Sequence, residues 1–155
     1  MFTLIPFDWN ETLTRALSRR DRGVKRLEGL PIILLVEDDV LIQGIVEETL
    51  RDGGFEIAIA SSADAAIALL DAQNVNYRAV VTDINMGRNK LDGWDVARRA
   101  REIDATLPVV YMTGESADHW ASKGVPHSIL VTKPFAAVQL LTAVSQLLNA
   151  CNPAT

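Results

Sequence analysis

Ile32-Ile33-Leu34-Leu35-Val36-Glu37-Asp38-Asp39 is the stretch whose reading decides the fold. Five apolar residues run without polar alternation, the pattern of a strand covered on both faces rather than on one. Three acids follow at once, so the strand ends where charge begins. A strand of this type belongs to a parallel sheet flanked by helices, and the rest of the chain agrees with it.

Moving outward, Leu41, Ile42, Ile45, Val46 and Leu50 recur at helical spacing as far as Gly53-Gly54. Phe55 to Ala60 forms the next strand. Ser61 with Asp64 resembles a capping box opening a helix that carries Ala63, Ala66, Ile67 and Leu70. Ala79 to Thr82 is a third strand running into Asp83. Val96, Ala97, Ala100 and Ile103 mark the next helix, and Pro108 introduces a strand from Val109 to Met112. A weak helix, Ser116 to Ser122, stops at Gly124. Ser128 to Thr132 is the fifth strand, and Val138, Leu141, Val144 and Leu148 stripe the last helix. Strands alternating with helices predict an α/β fold, an open doubly wound parallel sheet. Ligands in such sheets bind beyond the carboxyl ends of the strands.

Composition narrows the function classes. The chain has 155 residues, 48% hydrophobic and 23% charged, ordinary for a soluble domain. Its single cysteine, Cys151, excludes an internal disulfide framework and a cysteine metal site, and suits a reducing cytoplasm. No apolar run approaches the ~20 residues that span a bilayer, so no membrane association is expected. The opening Met1 to Phe7 lacks the flanks of a signal peptide. Residues 1–30 carry six basic and four acidic side chains, residues 31–155 nine and sixteen. The acidic part is a poor candidate for a nucleic-acid surface, which needs clustered cations, and no nucleic-acid partner is expected. The basic run Arg19 to Arg26 reads as a solvated helix end rather than a phosphate contact. Residues 1–30 form an extension with one short helix from about Glu11 to Arg22, residues 31–150 a domain, and residues 151–155 a tail.

The strand ends carry the chemistry. The first ends in Glu37-Asp38-Asp39, the third in Asp83, the fourth in Thr113-Gly114 and the fifth in Lys133-Pro134. The topology brings all of them to one edge of the sheet. Carboxylates a few ångströms apart repel by on the order of a few kcal/mol at intermediate dielectric. A hard divalent cation offsets that repulsion, and Mg²⁺ suits one or two carboxylates plus a phosphate. A carboxylate can act as a nucleophile toward phosphorus, with the cation and Lys133 spreading the charge of the transferring group.

These residues resemble the receiver domains of bacterial two-component response regulators, over residues 31–149. The resemblance rests on Leu35-Val36-Glu37-Asp38-Asp39, Val81-Thr82-Asp83-Ile84-Asn85-Met86, Asp92-Gly93, Met112-Thr113-Gly114 and Lys133-Pro134-Phe135, in that order. It implies a flavodoxin-like (βα)5 sheet in strand order 2-1-3-4-5. It implies that Asp83 is the phosphoacceptor. Glu37, Asp38, Asp83 and the Asn85 carbonyl would hold Mg²⁺ or Mn²⁺, Asp38 directly and Glu37 through water, with Asp39 a third nearby acid. Thr113 would be the switch hydroxyl and Lys133 the phosphate-pairing cation. The implied partners are a histidine kinase or histidine phosphotransfer protein and a downstream protein, with a phosphorylation-dependent dimer left open.

Three features depart from the family pattern. Gly87 replaces a usual proline, and Arg88-Asn89-Lys90 lengthen the loop from Asp83 to Gly93. Leu130 stands where an aromatic usually swings inward. The receiver core is followed by little further chain, which is the pattern of a stand-alone receiver that signals by protein contact and is not an enzyme. Two other readings compete: a phosphorylation-independent pseudo-receiver, and an aspartate-nucleophile phosphohydrolase, whose nucleophile would follow the first strand instead.

Overall fold

The computed structural model describes residues 29–87 and 90–151. The helix expected within residues 11–22, and the inserted Arg88 and Asn89, lie outside the described residues. In chain order the elements are β1 (Ile32–Val36), α1 (Val40–Asp52), β2 (Glu56–Ala60), α2 (Ala63–Ala72), β3 (Tyr77–Asp83), α3 (Gly93–Ile103), β4 (Val109–Thr113), a 3-10 turn (Ala117–His119), α4 (Trp120–Lys123), β5 (Ile129–Thr132) and α5 (Ala137–Cys151). All strand pairings are parallel, and the order across the sheet is β2-β1-β3-β4-β5. This is the expected order.

The apolar run of β1 is central because both its faces are covered. Ile33 and Leu35 point into one layer with Val46, Leu50, Val81, Met112, Leu140 and Val144, beneath α1 and α5. Leu34 and Val36 point into the other with Ala66, Val80, Val96, Ala97 and Tyr111, beneath α2 and α3. Ile33 through Val36 are fully buried. With chain reversal confined to the helices, every strand delivers its last residue to the same edge of the sheet.

Several local readings need correction. The cap of α2 is Ser62, whose hydroxyl accepts from the Ala65 N–H, not Ser61. Ser61 instead accepts from the Gln43 side chain. The third strand begins two residues earlier, at Tyr77. In α1 the row facing the core is Val46 and Leu50, both buried, with Ile42 half-buried, while Leu41 and Ile45 are 78% and 56% exposed. Those two sit about 100° around the helix from the buried row. The weak helix after β4 is a 3-10 turn followed by four α-helical residues; neither piece has a side-chain cap or a buried residue. Trp120 is 37% exposed and donates its indole N–H to Ser128 Oγ at 3.0 Å. His119 and His127 are exposed. Among the described residues, no helix is long and apolar enough to cross a membrane.

Candidate functional site

Each strand end contributes one part of the site. Asp83 is the last residue of β3, and Glu37 follows β1; both are buried, at 5% and 1% exposure. Such burial of carboxylates demands partners, and Lys133, just beyond β5, supplies one. Its Nζ lies 3.1 Å from Glu37 Oε2 and 3.4 Å from Asp83 Oδ2. The other Glu37 oxygen accepts from the Asp39 N–H at 3.1 Å. Lys133 N–H donates to the Thr113 carbonyl at 2.7 Å, tying the ends of β4 and β5 together. The Lys133–Pro134 peptide is cis.

The electrostatics follow from burial and proximity. Burial, then the Asp83 charge, push the Glu37 carboxyl up from 4.5 to about 7, although the Asp39 N–H and Lys133 pull it down. Burial likewise raises Asp83, opposed by Lys133 and assisted by the Asp38 charge. Burial alone depresses Lys133, but Asp83 and Glu37 outweigh it and the ammonium is held above its ordinary value. Lys133 is therefore charged, and the acid pair is short of positive charge.

The donor set fits a hard cation. Glu37, Asp38 and Asp83 each offer a carboxylate oxygen, and these oxygens lie within 4.8 Å of one another. Glu37 and Asp83 are buried while Asp38 is exposed, so the cluster has a closed floor and an open side. All-oxygen ligation by carboxylates suits Mg²⁺ or Mn²⁺. Gly87, with φ +66, brings its backbone within reach of Asp38: a Cβ built on it would lie 3.9 Å from Asp38 Oδ2.

The remaining expected residues divide. Asp39 does not join the cluster; its Oδ1 accepts from the Leu41 and Ile42 N–H groups and caps α1. A short acid directly before a helix satisfies the orphan amides of its first turn. Asn85 is exposed at the rim, and its side-chain amide donates to Ser116 Oγ at 2.9 Å. Thr113 is buried at the end of β4, where its hydroxyl oxygen accepts from the N–H of Glu115 at 3.3 Å and of Ser116 at 2.9 Å. It therefore holds the start of the following loop in place.

Other contributors were missed or undervalued in the sequence. Gly93 opens α3 against the backbone of β3: a Cβ there would sit 2.1 Å from the Asp83 carbonyl oxygen. Asp92 and Asp95 form the reciprocal capping box that starts this helix. Ser116 joins the loops after β3 and β4. Gln43, a lone amide near the start of α1, reaches back to the acidic loop. Trp94, next to Gly93, stacks obliquely on Tyr111 with ring centroids 4.8 Å apart. Leu130, in place of the aromatic, packs partly buried against the α2–α3 layer.

A (βα)5 sheet with acids, a hydroxyl and an ammonium at its carboxyl edge defines a two-component receiver. Residues 33–145 match the response regulator receiver domain model, and the chain belongs to that family. A response regulator receiver protein from Sinorhizobium medicae WSM419 is 48% identical, with a TM-score of 0.77, covering 81% of this chain and 99% of that one. The receiver domain of NtrX from Brucella abortus is 29% identical, with a TM-score of 0.65, covering 76% and 98%. The transcriptional regulatory protein PrrA of Mycobacterium tuberculosis is 35% identical over 121 residues, which are 77% of this chain and 50% of that protein. The chain spans about half the length of the curated relatives it matches first.

Proposed function

We propose that Asp83 accepts a phosphoryl group from the phosphohistidine of a histidine kinase or histidine phosphotransfer protein, in the cytoplasm, and that the phosphorylated form signals by protein contact. The observation that carries this reading is the meeting of Lys133 with Glu37 and Asp83 beside Asp38. An Asp83 carboxylate oxygen forms the new P–O bond. The P–N bond of the donor breaks, its electron pair stays on the imidazole nitrogen, and that nitrogen takes up a proton. Lys133 holds Glu37 and pairs with a phosphoryl oxygen. Thr113 offers its hydroxyl to another. Mg²⁺ or Mn²⁺ would be held by Glu37, Asp38, Asp83 and the Asn85 carbonyl, and would supply the remaining positive charge. The chain acts as a phosphoacceptor and not as a turnover enzyme, with hydrolysis of the acyl phosphate ending the signal.

The test is intact-mass measurement after incubation with acetyl phosphate and Mg²⁺. Wild-type protein gains one phosphoryl group; Asp83→Asn gains none, and EDTA abolishes the gain. Full labelling of Asp83→Asn, or labelling indifferent to EDTA, overturns the reading.

A further inference from the structure

Beyond the residues already placed in the site, Gln43 faces it from behind. The ladder between β1 and β2 ends with the Glu37 N–H donating to the Ala60 carbonyl at 3.1 Å. Past that point β2 turns away into the Ser61-Ser62 cap of α2, so the Glu37 carbonyl leaves the regular sheet. The Gln43 side-chain amide takes it up: Nε2 donates to the Glu37 carbonyl oxygen and lies 3.1 Å from Ser61 Oγ. Gln43 is itself fixed, because its backbone N–H donates to the Asp39 carbonyl at 2.9 Å in the first turn of α1. The loop from Glu37 to Asp39 is thus held at both ends, by Asp39 capping α1 and by Gln43 gripping the Glu37 carbonyl.

The gripped carbonyl belongs to the peptide between Glu37 and Asp38. That peptide joins the Cα atoms of Glu37 and Asp38, so a displacement of its carbonyl group carries both residues with it, and these supply two of the three carboxylates that cluster. We infer that Gln43 is a positioning residue: by binding the Glu37 carbonyl and the Ser61 hydroxyl it sets the Glu37–Asp38 peptide, and with it the carboxylate spacing that receives the divalent cation. This rests on the function proposed above. Groups that orient metal ligands from behind typically change metal affinity by about 10- to 100-fold when removed.

The experiment compares wild type with Gln43→Leu, which keeps bulk and loses the donor. Mg²⁺ affinity is measured by calorimetry, acetyl phosphate labelling across a Mg²⁺ series, and melting temperature without metal. The expected result is Mg²⁺ affinity weaker by about tenfold, slow labelling at low Mg²⁺ restored to the wild-type rate at saturation, and a shifted Asp38 amide resonance. A purely structural role would lower the metal-free melting temperature and leave the affinity of the folded protein unchanged. Ser61→Ala removes the other partner and should weaken affinity in the same direction but less; it carries the test if Gln43→Leu fails to fold. Affinity within twofold of wild type in these variants, or labelling not restored by saturating Mg²⁺, overturns the inference. If such variants stand beside wild type that binds Mg²⁺ and takes up label, only this inference falls. Wild type that does neither overturns the proposed function, and this inference with it.

Discussion

Lys133 Nζ stands 3.1 Å from Glu37 and 3.4 Å from Asp83, so one half-buried ammonium serves two buried carboxylates that come from separate strands. Removing one partner from a buried ion pair costs about 3–5 kcal/mol, because the other is left unpaired. Here the loss should be smaller, since Lys133 keeps some solvent contact and Glu37, held near 7, can take a proton. Lys133→Met should therefore lower stability by about 2 kcal/mol in urea unfolding at neutral pH. It should also abolish stable labelling by acetyl phosphate. A variant as stable as wild type would show that the pair contributes nothing to the fold.

The acids should be frustrated without metal. Asp38 is exposed, and its charge raises Asp83. Asp38→Ala should raise the metal-free melting temperature, and it should shrink the gain on adding millimolar Mg²⁺. A ligand that binds only the folded state stabilises by mass action, by about 2.7 kcal/mol at a hundred times its Kd. A wild-type melting temperature indifferent to Mg²⁺ would contradict both arms.

Stability of the metal-free protein should fall as pH rises from about 4.5 to about 7. Glu37 has its ordinary value, 4.5, in the unfolded chain and about 7 in the fold, chiefly through burial and then the Asp83 charge. Between those values the folded state binds the proton more tightly, so proton release opposes folding as pH climbs. Asp83, raised by burial, acts with the same sign. The raised Lys133 contributes stability that is lost only above its ordinary 10.5, outside this window. Glu37→Gln should flatten the profile, as measured by urea midpoints across pH; an unchanged slope would exclude Glu37 as its source.

Gly93→Ala should be severely destabilising. The added Cβ would lie 2.1 Å from the Asp83 carbonyl oxygen and 2.8 Å from Ile84 Cα, both backbone atoms that no rotamer change can move aside. Overpacking of this kind costs about 1–3 kcal/mol, occasionally more, and here it displaces Asp83 itself. Urea unfolding and phosphoryl labelling should both report the loss. A variant with wild-type values for each would mean that α3 can retreat from β3 without cost.

Signal output should depend on the Thr113 hydroxyl. It holds the Glu115 and Ser116 amides, and Ser116 in turn receives the Asn85 amide, so the loops after β3 and β4 are joined. Drawing the hydroxyl toward a phosphoryl group on Asp83 should pull its oxygen away from those amides. Hydrogen exchange should quicken in residues 113–124 on beryllofluoride treatment of wild type. In Thr113→Val the same amides should be fast beforehand and change little. A change centred on residues 87–90 that survives the substitution would make that loop the output element.

What the sequence determined by itself was the layer order and the edge at which chemistry happens. An unbroken apolar β1 needs cover on both faces, parallel strands need helical returns, and the acids, Thr113 and Lys133 stand directly after strands. Position along the chain was therefore enough to gather Glu37, Asp38, Asp83, Thr113 and Lys133. Tertiary structure alone decided how those residues divide their work. Asp39 reads in the chain equally as a third acid or as a cap of the helix that follows; the structure decides for the cap, since the start of α1 claims its carboxylate for two amides and it leaves the cluster. Leu41 and Ile45 match a helical repeat as well as Ile42 and Val46 do; which row is buried depends on where the helix meets the sheet. Gln43 and Ser116 carried no signal of their type, and Gly93 stood in the chain as a motif without a reason, because a carbonyl past the last rung of a ladder, a hydroxyl 31 positions from its amide, and a backbone 2.1 Å from a missing Cβ exist only once the strands lie side by side.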